Sequence, residues 1–161
     1  MMDNKLLSLI EDDASLTDAQ LAAMLGKEKG DIRKLIDQYE KDGVILGKKA
    51  LIDWDKTDRE YVTAFIEVKI QPQREFGFDR IAERIYNYPE VKSLYLMSGG
   101  FDFLVMIEGR TMREVAYFVA QKLATVESVT STATHFVLKK FKNEGVVYKT
   151  PEVDERIEGG A

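Results

Sequence analysis

Two hydrophobic periods alternate along this chain, and the changes between them mark its elements. Leu6, Leu7, Leu9 and Ile10 give an apolar side to a first helix of about ten residues, closed by Glu11-Asp12-Asp13. Thr17-Asp18-Ala19-Gln20 has capping-box spacing, in which the Thr hydroxyl takes an orphan amide and the Gln side chain reaches back. It opens a short second helix carrying Leu21, Ala22 and Leu25 and stopped by Gly26. Ile32, Leu35, Ile36 and Tyr39 then recur at i, i+3, i+4 and i+7. A third helix therefore buries one stripe and turns Lys29, Arg33, Lys34, Asp37, Gln38 and Lys41 outward. Beyond Gly43, the β-prone runs Val44-Ile45-Leu46 and Ala50-Leu51-Ile52 flank Gly47-Lys48-Lys49 and predict a hairpin with a basic tip. Two short helices joined by a tight turn near Gly26, followed by such a wing, make a winged helix-turn-helix, whose second helix enters the DNA major groove. The same pattern also admits a three-helix interaction module whose lysines are a solvated face.

From Tyr61 the period becomes two. Val62, Ala64, Ile66, Val68 and Ile70 predict a strand with one face on a core. Phe78, Ile81, Ala82 and Ile85 form a helical stripe that ends before Pro89, and Val91 to Ser98 is β-rich. Phe103 to Glu108 is a third strand, and Met112, Val115, Ala116, Val119, Ala120, Leu123 and Ala124 mark a second amphipathic helix. Val129 to Lys140 reads as a long last strand. Phe65 and Phe103, Ile81 and Val119, and Val91 and Val129 share one common offset, so the segment is a duplicated strand-helix-strand. Joined through Ser98-Gly99-Gly100, the halves give the ferredoxin-like order β-α-β-β-α-β, with both helices on one face of an antiparallel sheet. The third strand carries Phe103, Val105 and Ile107 on one side and Leu104 and Met106 on the other. A second subunit is therefore expected to cover the face without helices. The predicted class is α+β: residues 1–52 a winged helix-turn-helix, 53–60 a linker, 61–142 a ferredoxin-like domain, and 143–161 a C-terminal extension expected to be partly mobile.

Composition narrows the chemistry more than it names a partner. With 45% apolar residues, 32% charged, 11 Gly and 3 Pro among 161 residues, the chain is globular rather than low-complexity. It lacks the apolar run of a membrane span and the apolar centre of a signal peptide, so the expectation is a cytoplasmic protein with no membrane partner. No cysteine and one histidine, His135, leave no thiolate chemistry and little for a metal site, which argues against most enzyme classes and for no cofactor or metal. His135 itself reads as a structural or interface residue. The net charge is −5, opposite to that of a chain dominated by phosphate binding. Residues 27–49 are nonetheless locally positive, through Lys27, Lys29, Arg33, Lys34, Lys41, Lys48 and Lys49.

Three segments, Gln20-Leu21-Ala22-Ala23-Met24-Leu25-Gly26, Tyr39-Glu40-Lys41-Asp42-Gly43-Val44-Ile45 and Ser98-Gly99-Gly100-Phe101-Asp102-Phe103-Leu104-Val105, occur in the order and spacing of a known family. From Met2 to about Lys142 the chain resembles the leucine-responsive/asparagine-responsive (Lrp/AsnC) regulators, also called feast/famine proteins. The resemblance implies a DNA-binding transcriptional regulator with a RAM-type regulatory domain. It also implies assembly as homodimers and often as octamers of four dimers, with a response to an amino acid or related small metabolite. In that family the effector lies between dimers, against the loop joining the second and third strands, which here is Ser98, Gly99, Gly100, Phe101 and Asp102. Glycines let backbone amides approach a carboxylate, and Asp102 suits an α-ammonium group, although Gly-Gly before a strand is also ordinary turn chemistry. Thr130, Thr132 and Thr134 share one strand face, and Thr132 and Thr134 are hydrogen-bond candidates for the effector.

The expected DNA contacts are Lys29, Arg33, Lys34 and Gln38 near the groove, with Lys48 and Lys49 on flanking phosphate. The recognition helix departs from the family pattern: Lys27-Glu28-Lys29-Gly30-Asp31 replaces a Ser-rich turn, and Asp31 and Asp37 thin its basic face. That thinness motivates a rival reading, a metabolite-sensing oligomeric module with little or no DNA binding. An enzyme on a ferredoxin-like sheet is a further rival, with only Ser98 and Asp102 to offer in its loop.

Overall fold

A computed structural model of the chain describes residues 3–71 and 77–149. Its contacts divide the chain into two compact units that meet at Ile52 and Asp53.

The first unit is three helices. Helix α1 (Asn4–Asp12) is capped by the Asp3 side chain and buries Leu6 and Ile10. Helix α2 (Asp18–Leu25) opens on the full Thr17/Gln20 capping box and closes on Gly26, held left-handed at φ 63°. Only a residue without a Cβ adopts that conformation freely, and the turn it makes delivers the Lys27 N–H to the Ala22 carbonyl at 3.0 Å. Helix α3 (Lys29–Lys41) buries Ile32, Ile36 and Tyr39 against Leu6, Ile10, Leu21 and Ala22, so all three stripes converge on one core.

The wing does not form. No strand is present between Val44 and Ile52. The Val44 and Ile45 amides both bond the Tyr39 carbonyl, so the first run finishes the C-terminus of α3 instead of opening a ladder. Leu46, at 92% exposure, packs on nothing. Two three-residue runs around a turn lacking Asn-Gly or Asp-Gly offer too few cross-strand pairs to hold a hairpin.

The second unit is a four-stranded antiparallel sheet in the order β2-β3-β1-β4, with two helices on one face. The elements run β1 (Val62–Ile70), α4 (Phe78–Tyr86), β2 (Val91–Leu96), β3 (Phe103–Gly109), α5 (Met112–Phe118) and β4 (Val129–Phe136). This is the ferredoxin-like β-α-β-β-α-β arrangement. Ala64, Ile66, Val68, Phe103, Val105 and Ile107 face the helices and are buried with Ile81, Ile85, Val115, Phe118 and Leu123. By alternation, Phe65, Glu67, Tyr95, Leu104, Met106, Ala133 and His135 lie on the opposite face.

Three details depart from the sequence pattern. Helix α5 runs on as a π-helical turn, Val119–Leu123, closed by the Ala124 N–H on the Val119 carbonyl at 2.8 Å. Strand β4 stops at Phe136 rather than Lys140: the Val137 N–H still bonds the Thr63 carbonyl at 2.9 Å, but β1 begins at Val62, opposite Leu138, so Lys139 and Lys140 have no partner strand. Residues Lys142–Asn143 (β5) and Val146–Val147 (β6) form a small hairpin instead of an irregular extension. Its turn places Glu144 and Gly145 at φ 46° and 78°, the left-handed pair a two-residue hairpin loop requires. The rest of the extension, from residue 150, lies outside the described residues. Among the described residues no helix is long and apolar enough to cross a membrane.

Candidate nucleic-acid interface and effector loop

Packing of the α3 stripe leaves Lys29, Arg33, Lys34 and Gln38 exposed on the opposite side of the helix. Their electrostatic surroundings differ. Arg33 is engaged by acids from two elements: Nη2 donates to Asp37 Oδ1, and Nη1 lies 4.0 Å from Asp18 Oδ1 at the start of α2. The hydrogen bond to Asp37, then its charge, raises the guanidinium pKa further above its ordinary value, so Arg33 is a permanent cation. Lys34 lies 3.7 Å from Asp31, and Gln38 Nε2 donates to both Asp42 carboxylate oxygens at 2.8 Å. Lys29 has no such partner among the described residues. Lys48 lies 3.8 Å from Glu40, while Lys49 is unpaired among the described residues. Both sit on irregular chain rather than on the tip of a hairpin. The face is thus a cationic row threaded with carboxylates that a phosphate would have to displace.

In the second unit Ser98, Gly99 and Gly100 are exposed, with Phe101 and Asp102 half-buried behind them. Gly99 holds φ 130°, a backbone conformation that side chains oppose, and open space surrounds the Cα of both glycines. The loop is closed by the Met97 N–H on the Asp102 carbonyl at 2.8 Å and by the Asp102 N–H on the Val68 carbonyl at 3.0 Å. The Asp102 side chain has a structural duty as well, because Oδ2 accepts the Ile70 N–H at 2.8 Å. The Ile70 N–H thus takes one of the acceptor sites that the carboxylate could offer an ammonium group.

Thr132 and Thr134 pair with Val68 and Ile66 and are half-buried on the helix side of the sheet. Thr130 leaves their row, since a register shift between Lys69 and Ile70 turns its hydroxyl onto the Lys69 carbonyl at 3.2 Å. Asp102 and Thr132 lie at the same end of the sheet with β1 between them, whereas Thr134 lies one pair further in. His135 stands on the uncovered face, its Nε2 3.3 Å from Glu67 Oε1.

One group of residues is not legible in the sequence. Glu90 and Lys122, brought together by the end of α4's connection and the π-helical turn, are joined by a hydrogen bond of 2.5 Å. No local spacing signals a pair so far apart in the chain. Among the described residues no cluster of His, Asp or Glu has the makings of a metal site.

The Lrp/AsnC ligand binding domain matches residues 63–147 of this chain. Over 156 residues the chain is 45% identical to the uncharacterized HTH-type transcriptional regulator YugG of Bacillus subtilis (strain 168), covering 96% of this chain and 94% of that protein. It is 25% identical to the proline dehydrogenase transcriptional activator of Rhizobium radiobacter over 144 residues, 89% of this chain and 92% of that one. A transcriptional regulator from Neisseria meningitidis, solved with L-Met, shares the fold at a TM-score of 0.70 and 24% identity, over 88% of this chain and 91% of that one. The three-helix head, the two-helix ferredoxin-like unit and these likenesses agree: the chain belongs to the Lrp/AsnC family of transcriptional regulators and is not an enzyme.

Proposed function

We propose that the protein is a cytoplasmic, effector-responsive DNA-binding regulator that works as a homodimer or a multiple of it. Lys29, Arg33, Lys34 and Gln38 lie toward the groove, with Lys48 and Lys49 on flanking phosphate. The single observation that carries this reading is the joining, in one chain, of a helix-turn-helix with an outward cationic row to a sheet whose second face carries Phe65, Leu104 and Met106 and no helix. Two copies meeting on that face present two DNA-reading heads, the requirement of a two-fold operator. The effector is an amino acid or a related metabolite held at Ser98 to Asp102. Support comes from the open backbone around Gly99 and Gly100, from the remaining Asp102 acceptor sites, and from the neisserial neighbour's capture with L-Met. Thr132 serves from across β1, and Thr134 is the weaker candidate.

Because Asp37, Asp18, Asp31 and Asp42 hold the cations and the amide of α3, each head binds weakly, and paired heads supply the affinity. The same carboxylates support the second reading, a metabolite-sensing oligomer with little DNA binding. Mobility shift on the protein's own promoter region, across a salt series and an amino-acid panel, separates the two. A steep loss of affinity with salt, a further loss in Arg33→Ala with the dimer intact, and a shift on adding one amino acid are expected. Salt-insensitive or absent binding overturns the DNA assignment, and unchanged affinity in Arg33→Ala removes that residue from the interface.

A further inference from the structure

The end of β3 remote from the Ser98–Asp102 loop borders a cavity of about 560 Å³, within the size range of small-molecule sites. It lies between Ile107 to Gly109 and the first turns of α5, and Ile107, Val115 and Phe118 supply apolar wall. The charged side chains on the α5 side of the sheet are Glu90 and Glu114 against Arg113 and Lys122, a balanced set, since Glu108 alternates onto the other sheet face. Glu108 accepts the Tyr61 hydroxyl at 2.6 Å, and Glu114 accepts the Arg110 N–H at 2.8 Å. Glu90 is different. Its Oε1 takes Lys122 Nζ, while Oε2 is sealed from water and has no hydrogen-bond partner, although the side chain keeps 32% of its surface exposed. An acceptor left in that condition is costly, and native structures keep few. Burial alone would raise the Glu90 carboxyl. The Lys122 hydrogen bond, Glu90's own backbone amide and the charges of Lys122 and Lys92 outweigh it and hold the group below the ordinary Glu value, so it is an anion at neutral pH.

The wall that brings Lys122 to Glu90 is the π-helical turn, a departure from regular helix that recurs at functional sites. Lys122 Nζ also stands 5.7 Å from the Phe118 ring centroid, so an aromatic face here already hosts a cation. We propose that this cavity binds a small apolar ammonium compound, its N–H groups on Glu90 and its hydrocarbon against Ile107, Val115 and Phe118. The unpartnered Glu90 oxygen calls for an N–H donor, whereas a carboxylate placed against it adds a like charge. Rotation about the soft terminal torsion of Glu90 turns Oε2 toward the ligand.

Methyl and amide NMR on the full-length protein tests this with three compounds on one hydrocarbon frame: isoamylamine, L-leucine and isocaproate. Saturable shifts of the Ile107 and Val115 methyls with isoamylamine are expected, with leucine weaker and isocaproate without effect. Affinity for the amine falls about tenfold in Glu90→Gln. It holds or rises in Lys122→Met, where Glu90 loses its internal competitor. The proposal is overturned by no saturable shift with the amine, by tighter binding of leucine or isocaproate, by shifts confined to the Gly99 and Gly100 amides, or by unchanged affinity in Glu90→Gln. Weaker binding in Lys122→Met overturns it too, and that variant decides the matter if Glu90→Gln does not fold.

Discussion

Asp102 is tied down three times: its N–H to Val68, its carbonyl to Met97 and its side chain to the Ile70 N–H. It therefore closes the loop between β2 and β3 and fixes that loop to the end of β1, whatever the loop binds. Asp102→Ala leaves the Ile70 amide without its partner. The expected cost is about 1–3 kcal/mol, read as a lower urea midpoint at unchanged slope. Asp102→Asn keeps a carbonyl oxygen in place and is expected to lose less than half as much. If Asp102→Ala unfolds at the wild-type midpoint, water replaces the carboxylate and the residue is free for ligand duty alone. The sequence marks Asp102 only as a charge after two glycines. Its bond to Ile70 depends on a strand pairing that no local spacing encodes.

At the scale of elements, α2 is eight residues long, too short to persist on helix propensity, so its caps and its packing decide whether it forms. Thr17 Oγ1 accepts the Gln20 N–H while Gln20 Oε1 accepts the Thr17 N–H at 2.9 Å, satisfying two amides that the helix leaves open. Thr17→Ala is expected to lower stability by about 1 kcal/mol in urea unfolding followed by far-UV circular dichroism. A wild-type midpoint would show that packing of Leu21 and Ala22 alone holds the helix. These elements were legible because their causes are local: a cap at fixed spacing, a stripe at Ile32, Ile36 and Tyr39, an alternation through Val62 to Ile70. The errors share the opposite origin. Ala50-Leu51-Ile52 has strand composition but no partner once Val44 and Ile45 are spent on the end of α3. The run to Lys140 has strand composition but outlasts β1. The β5–β6 hairpin turns at Glu144-Gly145, which lacks the usual Asn-Gly signal, and the Glu90–Lys122 pair exists only because the sheet folds its two segments together. Candidate loop residues were legible by position, and Asp31 and Asp37 among the α3 cations by spacing, but the approach of Asp18 to Arg33 was not, since Asp18 belongs to another helix.

At the scale of the molecule, the sheet has one face filled and one bare. Phe65, Leu104 and Met106 are only half-buried on the bare face and Tyr95 is 53% exposed, so their apolar surface is in contact with water in a single chain. Burying such a patch is favourable by about 25 cal/mol per Å², and the self-complementary way to do it is a two-fold contact between identical sheets. Sedimentation equilibrium at micromolar concentration is expected to give a dimer or a multiple of it. Met106→Lys places a charge at the centre of β3, on a face that two sheets would close to water, and is expected to yield folded monomers with unchanged far-UV circular dichroism. DNA affinity should fall with the dimer, because each head on its own carries the thin, carboxylate-threaded face of α3 and depends on its twin for avidity. A monomeric wild type defeats the pairing. A monomeric Met106→Lys that binds promoter DNA as tightly as wild type instead separates the two units: the head suffices alone, and the sheet serves the effector.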